Sequence, residues 1–272
     1  MNQSLHDIPQ GTAIWKAFRR QGLGSSDIPV LFGHHEYKTP YELYCDKIGQ
    51  GVEDEDNYAA NRGRLLEGVA REWYEIETGI QMKPTCMVHK EHAFLRASLD
   101  GYNEQKRLVL EIKCPLKQEH IEMAKKGDIP KQYFIQMQHQ LLVSEAVGGH
   151  YICFDGLKGE IIPVAPDLEL QQEILKAGIE FWDRVINRIP PPLTNQDFMR
   201  SENANLIDYV SKYRTLKEAK DTAEKQLEAL KATIERNMQH VKVICNGMKI
   251  QKVTRKGTDK DSTYILFSDT KK

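Results

Sequence analysis

Residues 96–115 read Arg-Ala-Ser-Leu-Asp-Gly-Tyr-Asn-Glu-Gln-Lys-Arg-Leu-Val-Leu-Glu-Ile-Lys-Cys-Pro, and this stretch decides the fold. The pair Asp100-Gly101 is a hairpin-turn signal, because glycine adopts the positive φ that such turns require. After a short polar turn, the apolar run 108–114 predicts a buried strand, which Pro115 ends.

Two charged residues lie inside this apolar strand. Side chains alternate along a strand, so Glu111 and Lys113 point to the same side, about 6 to 7 Å apart, while Ile112 points into the core. A buried strand carries two charges on one face only where they have a partner or a use. Asp100 supplies a second carboxylate, and two carboxylates about 4 Å apart repel by roughly 4 kcal/mol at an effective dielectric near 20. The segment therefore predicts a divalent cation between the acids, Mg²⁺ or Mn²⁺ rather than Zn²⁺, because the ligands are oxygens.

Lys113 adds a cation to the two carboxylates. An ammonium beside a bound cation can orient or acidify a water and neutralise a phosphorane-like transition state. Asp100 followed by Glu111-x-Lys113 is thus the pattern of a metal-dependent phosphodiesterase. An isolated Glu-x-Lys is more often part of a surface strand. The Asp-Gly pair upstream, the apolar run and the closing Cys-Pro together favour the catalytic interpretation.

These motifs resemble a known superfamily. Ser98-Leu99-Asp100-Gly101 followed by Leu-Glu-Ile-Lys-Cys-Pro at 110–115 resembles the PD-(D/E)xK nucleases, and within them the lambda-exonuclease or YqaJ-type viral recombinases. Leu99 stands where the signature often has Pro, a residue that shapes the backbone rather than binding metal. The resemblance covers roughly residues 13–188 in five ordered blocks. It implies an α/β, restriction-endonuclease-like core with a mixed central sheet flanked by helices.

The first block lies near the N-terminus. Residues 13–33 predict a helix, a glycine-containing turn and a second helix opened by Ser and Asp capping residues. A helix start with free N–H groups and a hydroxyl binds phosphate, and a nearby Arg strengthens it. By themselves these residues favour simple capping. The resemblance to the family's Trp-x-x-x-Arg and following Ser implies that Arg19 and Ser26 hold a terminal 5′-phosphate, with Arg20 and Ser25 as adjacent alternatives.

Two further candidates precede the Asp motif. Residues 58–78 predict a long amphipathic helix closed by Gly79. A Glu on such a helix is usually solvated. Gly63 to Glu67, however, matches the family's Gly-x-x-x-Glu, which implies that Glu67 is a third acidic group at the metal, either as a direct ligand or through water. The resemblance also implies that Ser98 contacts the 5′-phosphate.

A helix beginning at Pro130 carries the last block. Its apolar face consists of Phe134, Met137 and Leu141, and its amide face consists of Gln132, Gln136 and Gln140 at i, i+4 spacing. Amides can hold a water or a phosphate oxygen without adding charge to an anionic site, although a polar helix face is the simpler interpretation. The segment Tyr-x-x-Gln-x-Gln resembles the family's final motif, which implies Tyr133 and Gln136 as site residues. His139 falls on a different side from Gln136 and is not assigned to the site.

Composition limits the remaining choices. The chain has 272 residues, a net charge of −1 and 28% charged residues, so any DNA-binding surface has to be local. Five cysteines without a Cys-x-x-Cys motif favour reduced thiols over disulfides or a zinc knuckle. We expect no membrane span and a cytoplasmic location. The resemblance implies a phage or prophage gene expressed in a bacterial host.

The chain changes character after the Pro run at 190–192. Residues 203–238 predict a long polar helix with a coiled-coil-like stripe, and the segment after it predicts a hairpin around Asn246-Gly247. The basic residues of this hairpin are Lys242, Lys249, Lys252, Arg255, Lys256 and Lys260. The extension either packs on the first domain or a neighbouring subunit, or grips DNA or a partner recombinase, and both alternatives stay open. We divide the chain into a nuclease domain, 1–192, and this extension, 193–272.

The motifs together predict Mg²⁺-dependent hydrolysis of duplex DNA from its ends, with Mn²⁺ as an alternative metal. The residues that the resemblance assigns to the metal are Asp100, Glu111, Ile112 through its carbonyl, and Glu67. Lys113 with Gln136 would prepare the water. The resemblance further implies 5′ to 3′ polarity, a homotrimer and a single-strand annealing protein as partner. Another PD-(D/E)xK nuclease, endonucleolytic or 3′-directed, and a non-catalytic DNA-binding adaptor stay open as alternatives.

Overall fold

A computed structural model describes residues 3–5, 8–51, 58–197, 203–255 and 262–270. The chain divides into two compact units, Met1–Phe198 and Met199–Lys272.

The first unit is built on one mixed sheet of six strands in sequential order. The strands are β1 Gln3–Leu5, β2 Lys83–Val88, β3 Arg96–Asn103, β4 Leu108–Lys113, β5 Gly148–Phe154 and β6 Gly159–Val164. β4 and β5 are parallel and the other neighbouring strands are antiparallel. A parallel pair needs a crossover, and the chain between β4 and β5 supplies it with two helices.

Helices cover both faces of this sheet. They are α1 Ala13–Arg20, α2 Ile28–Leu31, α3 Pro40–Lys47, α4 Tyr58–Thr78, α5 Gln118–Lys125, α6 Lys131–Ser144 and α7 Leu168–Asn187. One buried cluster joins Val109 of β4 to residues of α2, α6 and α7, and another joins Leu110 and Ile112 of β4 to Ala70 and Tyr74 of α4. β4 is therefore apolar on both faces, as a central strand of a three-layered α/β fold should be. The predicted fold class is confirmed.

The expected hairpin turn at Asp100-Gly101 is wrong. Both residues lie within β3, and the turn to β4 spans residues 104–107. Thr85 of β2 pairs with Leu99 while Lys83 pairs with Tyr102, so β3 carries one extra residue between Leu99 and Tyr102. This is a β-bulge, a device that re-aims a side chain. A Cβ on Gly101 would lie 2.7 Å from Met82 Cβ, so close packing explains the glycine.

Helix-end signals give a mixed result. Thr39 caps α3 in a full capping box with Glu42, and Pro40 opens the helix. The second helix predicted in 13–33 is only the single turn α2, and the serines before it do not cap it. Their hydroxyls bond other side chains: Ser25 Oγ lies 2.9 Å from His139 Nδ1, and Ser26 Oγ accepts from Arg19 at 2.7 Å.

The second unit is a 34-residue helix followed by a small sheet. Its elements are α8 Ala204–Asn237, β7 Lys242–Cys245, β8 Met248–Arg255 and β9 Ser262–Asp269. The hairpin at Asn246-Gly247 forms as predicted, with positive φ at both residues. The third strand, β9, was not predicted, and Lys256 and Lys260 lie outside the described residues. Within the described ranges, no helix has both the length and the apolar character to cross a bilayer.

Candidate active site

A cavity of about 500 Å³ opens where β3 and β4 meet α1, α4 and α6. It is lined by every residue that the sequence singled out for the site: Arg19, Ser26, Glu67, Ser98, Asp100, Glu111, Ile112, Lys113, Tyr133 and Gln136. These residues come from six separate segments, so the convergence is a property of the fold.

The bulge in β3 positions Asp100. Its Oδ2 accepts from the backbone N–H of Ile112 at 2.8 Å, which ties the carboxylate to β4. Arg71 of α4 donates to the Asp100 carbonyl at 2.8 Å, and Gln10 Nε2 donates to Oδ1 at 3.3 Å. Burial, reinforced by the carboxylates of Glu111 and Glu67, raises the pKa of Asp100 well above its ordinary value.

Glu111 is 1% exposed and is held by three donors. Gln136 Nε2 donates to its Oε1 at 2.6 Å, Gln140 Nε2 donates to its Oε2, and Lys113 Nζ forms an ion pair with Oε1. The sequence pattern predicts Gln136 as a site residue but not Gln140. The i, i+4 amide spacing on α6 was the available signal, because both amides face the same carboxylate.

Lys113 lies between the two acids and an aromatic ring. Burial opposes its charge, but the carboxylates of Glu111 and Asp100 outweigh that effect and raise the pKa of Lys113 above its ordinary value. Its Nζ lies 5.0 Å from the centroid of the Tyr133 ring, a cation–π contact. Tyr133 is stacked in turn on Tyr151. The ammonium is therefore fixed and charged.

Glu67 approaches from α4. Its Oε1 lies 3.7 Å from Arg71 Nη1, and burial raises its pKa against the opposing charge of Arg71. In the described part of the chain, no three His, Cys, Asp or Glu side chains form a ready metal-binding group. Burial and neighbouring carboxylates disfavour the charged forms of Asp100 and Glu67, and a bound cation would offset that cost. The oxygen ligands of these acids fit Mg²⁺ or Mn²⁺.

Another part of the cavity lining is built around the Arg19 guanidinium. Arg19 Nη2 donates to Ser26 Oγ at 2.7 Å and to Asp27 Oδ1 at 3.1 Å, and Lys47 Nζ donates to Asp27 Oδ2 at 2.6 Å. Burial alone would favour the protonated acid, but Lys47 and Arg19 lower the pKa of Asp27 well below its ordinary value. Asp27 is therefore an anchor that fixes Arg19 beside the Ser26 hydroxyl.

The adjacent alternatives to this pair are placed elsewhere. Arg20 is exposed and does not line the cavity. Ser25 lines the cavity but is buried, and its hydroxyl is engaged by His139. Burial lowers the pKa of His139 to about 3, so this histidine is neutral and holds the turn rather than the substrate. Ser98 faces the same cavity and accepts from Trp15 Nε1 at 3.1 Å.

Fold and site together define a PD-(D/E)xK-type exonuclease core. Residues 14–147 match the family described as the YqaJ-like viral recombinase domain. The chain is also 29% identical over 250 residues to the uncharacterized protein YqaJ of Bacillus subtilis, and this alignment covers 82% of this chain and 77% of YqaJ. The predicted site residues, from Arg19 to Gln136, therefore all lie within the segment that resembles this family.

Solved structures give the same answer. The alkaline exonuclease LHK-Exo from Laribacter hongkongensis matches with a TM-score of 0.57 and 27% identity, over 65% of this chain and 94% of that one. Its complex with dAMP matches with a TM-score of 0.58 and 26% identity, over the same shares of the two chains. The similarities indicate a relative of the alkaline exonucleases.

Proposed function

We propose that this protein is a Mg²⁺-dependent exonuclease that degrades linear duplex DNA from 5′-phosphorylated ends in the 5′ to 3′ direction. One observation carries the proposal: a single cavity is lined both by Asp100, Glu111 and Lys113 and by the Arg19–Ser26 pair. The first group suits phosphodiester hydrolysis and the second suits a terminal phosphate. An enzyme that has both groups would position its cleavage site relative to the end of a strand.

Asp100, Glu111 and the carbonyl of Ile112 would hold the ion, with Glu67 as a further acidic group that binds it directly or through water. Bound Mg²⁺, or Mn²⁺ in its place, would polarise the scissile phosphate and make a water more acidic. Lys113, charged and fixed by Glu111, would orient that water and offset the negative charge on the phosphoryl oxygens in the transition state.

Arg19 and Ser26 would bind the 5′-phosphate, and the Ser98 hydroxyl would donate a hydrogen bond to the same phosphate. Tyr133 and Gln136 would complete the wall beside the reacting phosphate. The strand that remains would be a 3′ overhang. We further propose that the enzyme works as a ring of three copies, beside a single-strand annealing protein, in the cytoplasm of a bacterium that carries the phage gene.

The substrate end gives the experiment that tests this proposal. Digestion rates should be compared on a 5′-phosphorylated linear duplex, its 5′-hydroxyl counterpart and a closed circle, all with Mg²⁺. We expect the phosphorylated duplex to be degraded fastest and the circle to survive. Equal rates on all three would reject end recognition in favour of an endonuclease.

The Arg19→Ala variant should lose the preference for a 5′-phosphate. A hydrogen bond to a charged group contributes about 1.5–3 kcal/mol, so the rate ratio between phosphorylated and hydroxyl ends is expected to fall by about tenfold or more. Arg20→Ala removes the same charge from an exposed site one residue away and serves as the matched control. A similar loss in both variants would show that general charge, not this pair, selects the end.

Gln140→Leu tests the buried amide that holds Glu111. The substitution removes one donor from Oε2 while nearly preserving side-chain volume, and outer partners of ligating groups typically contribute about 10- to 100-fold in activity or metal affinity. We therefore expect at least a tenfold higher Mg²⁺ concentration for half-maximal activity. Gln132→Leu, on the same helix with no bond to Glu111, should leave that concentration unchanged.

A further inference from the structure

The three-stranded sheet of the second unit has two chemically different faces. Antiparallel residues opposite each other share a face, and successive residues alternate. The register pairs Ile250 with both Val243 and Phe267, and pairs Lys252 with Ile265. Ile250 and Ile265 are buried, so this apolar face closes the core of the sheet.

The opposite face combines cations with exposed apolar groups. It consists of Lys242 and Ile244 on β7, Lys249, Gln251, Val253 and Arg255 on β8, and Tyr264, Leu266 and Ser268 on β9. We call it the basic face. Lys242, Lys249 and Arg255 are exposed, as are Tyr264 and Leu266. Asp269 is the acidic residue of the three described strands, and the register puts it on the apolar face, opposite Met248.

We propose that the basic face binds single-stranded DNA. This inference rests on the proposed function for the identity of that strand, which is the one left after 5′ to 3′ degradation. Lys249 and Arg255 are six residues apart on β8, about 20 Å at 3.4 Å per residue, so the cations follow a length of several nucleotides. Three cations with no acid among them on the described strands complement a phosphate backbone.

The exposed apolar groups of the basic face favour a single strand over a duplex as its ligand. A duplex hides the faces of its bases, whereas a single strand offers them for stacking on aromatic rings. Tyr264 is 43% exposed and Leu266 and Ile244 are 51% and 70% exposed, on the same face as the lysines. An acidic protein segment would need the cations but not the ring between them.

Salt dependence of binding tests the cations. The full chain, in chelator to prevent cleavage, is titrated against labelled oligo-dT by fluorescence anisotropy at several salt concentrations. Each phosphate contact contributes about 0.7 to the slope of log K against log salt for a single strand. The double variant K249Q/R255Q is expected to lower that slope by about 1.4. The double variant K217Q/K225Q, which removes two exposed charges from α8, is the matched control and should lower it by much less.

The stacking residue has its own variants. Tyr264→Ala should weaken oligo-dT binding by about tenfold, because stacking on an aromatic ring contributes about 1–3 kcal/mol per base, and Tyr264→Phe should restore it. Equal oligo-dT affinity of wild type and both variants, or a loss of duplex affinity in Tyr264→Ala as large as its loss of oligo-dT affinity, would overturn the single-strand assignment. Because binding is measured without cleavage, this result is independent of whether Mg²⁺ later supports digestion.

Discussion

Replacing Lys113 with methionine is expected to reduce the rate of DNA hydrolysis by about a thousandfold. The ammonium is the one cation that forms an ion pair with Glu111 in the described residues, and preorganised donors of this kind contribute about 10²–10³ in rate. Methionine keeps the length and much of the volume of the side chain. Glu111 keeps its bonds from Gln136 and Gln140, so the fold should survive.

The measurement is single-turnover cleavage of an end-labelled duplex, with duplex affinity in Ca²⁺ measured in parallel. We expect affinity within a few-fold of wild type and a loss confined to the chemical step. Lys117→Met, which removes an exposed lysine four residues further on, is the matched control. Full activity in Lys113→Met would remove this lysine from the mechanism.

Replacing Asp100 with asparagine is expected to abolish hydrolysis and at the same time to stabilise the metal-free protein. The pKa of Asp100 is raised by burial and by the carboxylates of Glu111 and Glu67, so the folded state resists its ionisation. The folded protein therefore binds this proton more tightly than the unfolded chain, and wild-type stability falls as pH rises from the ordinary carboxyl pKa to the raised one. Asparagine carries no such charge.

The measurement is thermal unfolding in chelator and in Mg²⁺ at neutral pH. In chelator, Asp100→Asn should unfold a few degrees above wild type, since each kcal/mol shifts the midpoint by about 2–4 °C in a protein of this size. Mg²⁺ should raise the wild-type midpoint but not that of the variant. Asp128→Asn changes an exposed acid and should alter neither. Lower stability in chelator together with an undiminished Mg²⁺ effect would contradict the metal role of Asp100.

The sequence predicts well those features of the site that depend on neighbouring residues of one strand. Glu111 and Lys113 share a face because a strand alternates, and Ile112 is buried for the same reason. The position of Asp100 could not be read in this way. The β-bulge that positions it arises where β3 pairs with β2 as well as with β4. The sequence of one strand does not specify its register with another.

The same limit explains the other differences. Ser25 and Ser26 have capping composition, yet their hydroxyls bond His139 and Arg19, partners that only the folded chain supplies. Gln140 shows the same i, i+4 spacing as Gln136, but spacing does not reveal that both amides meet one carboxylate. The bonds of His139, Gln136 and Gln140 join α6 to distant segments, and tertiary packing determines them.

The most direct test of the central claim is digestion of a duplex labelled at either the 5′ or the 3′ end, followed over time in Mg²⁺ and in chelator. We predict that the 5′ label is released first as a mononucleotide in Mg²⁺ and that the 3′-labelled strand persists. Chelator should stop cleavage of both labelled duplexes. Unchanged cleavage in chelator would contradict a catalytic metal between Asp100 and Glu111. Release of the 3′ label first would contradict entry of the 5′ end at Arg19 and Ser26.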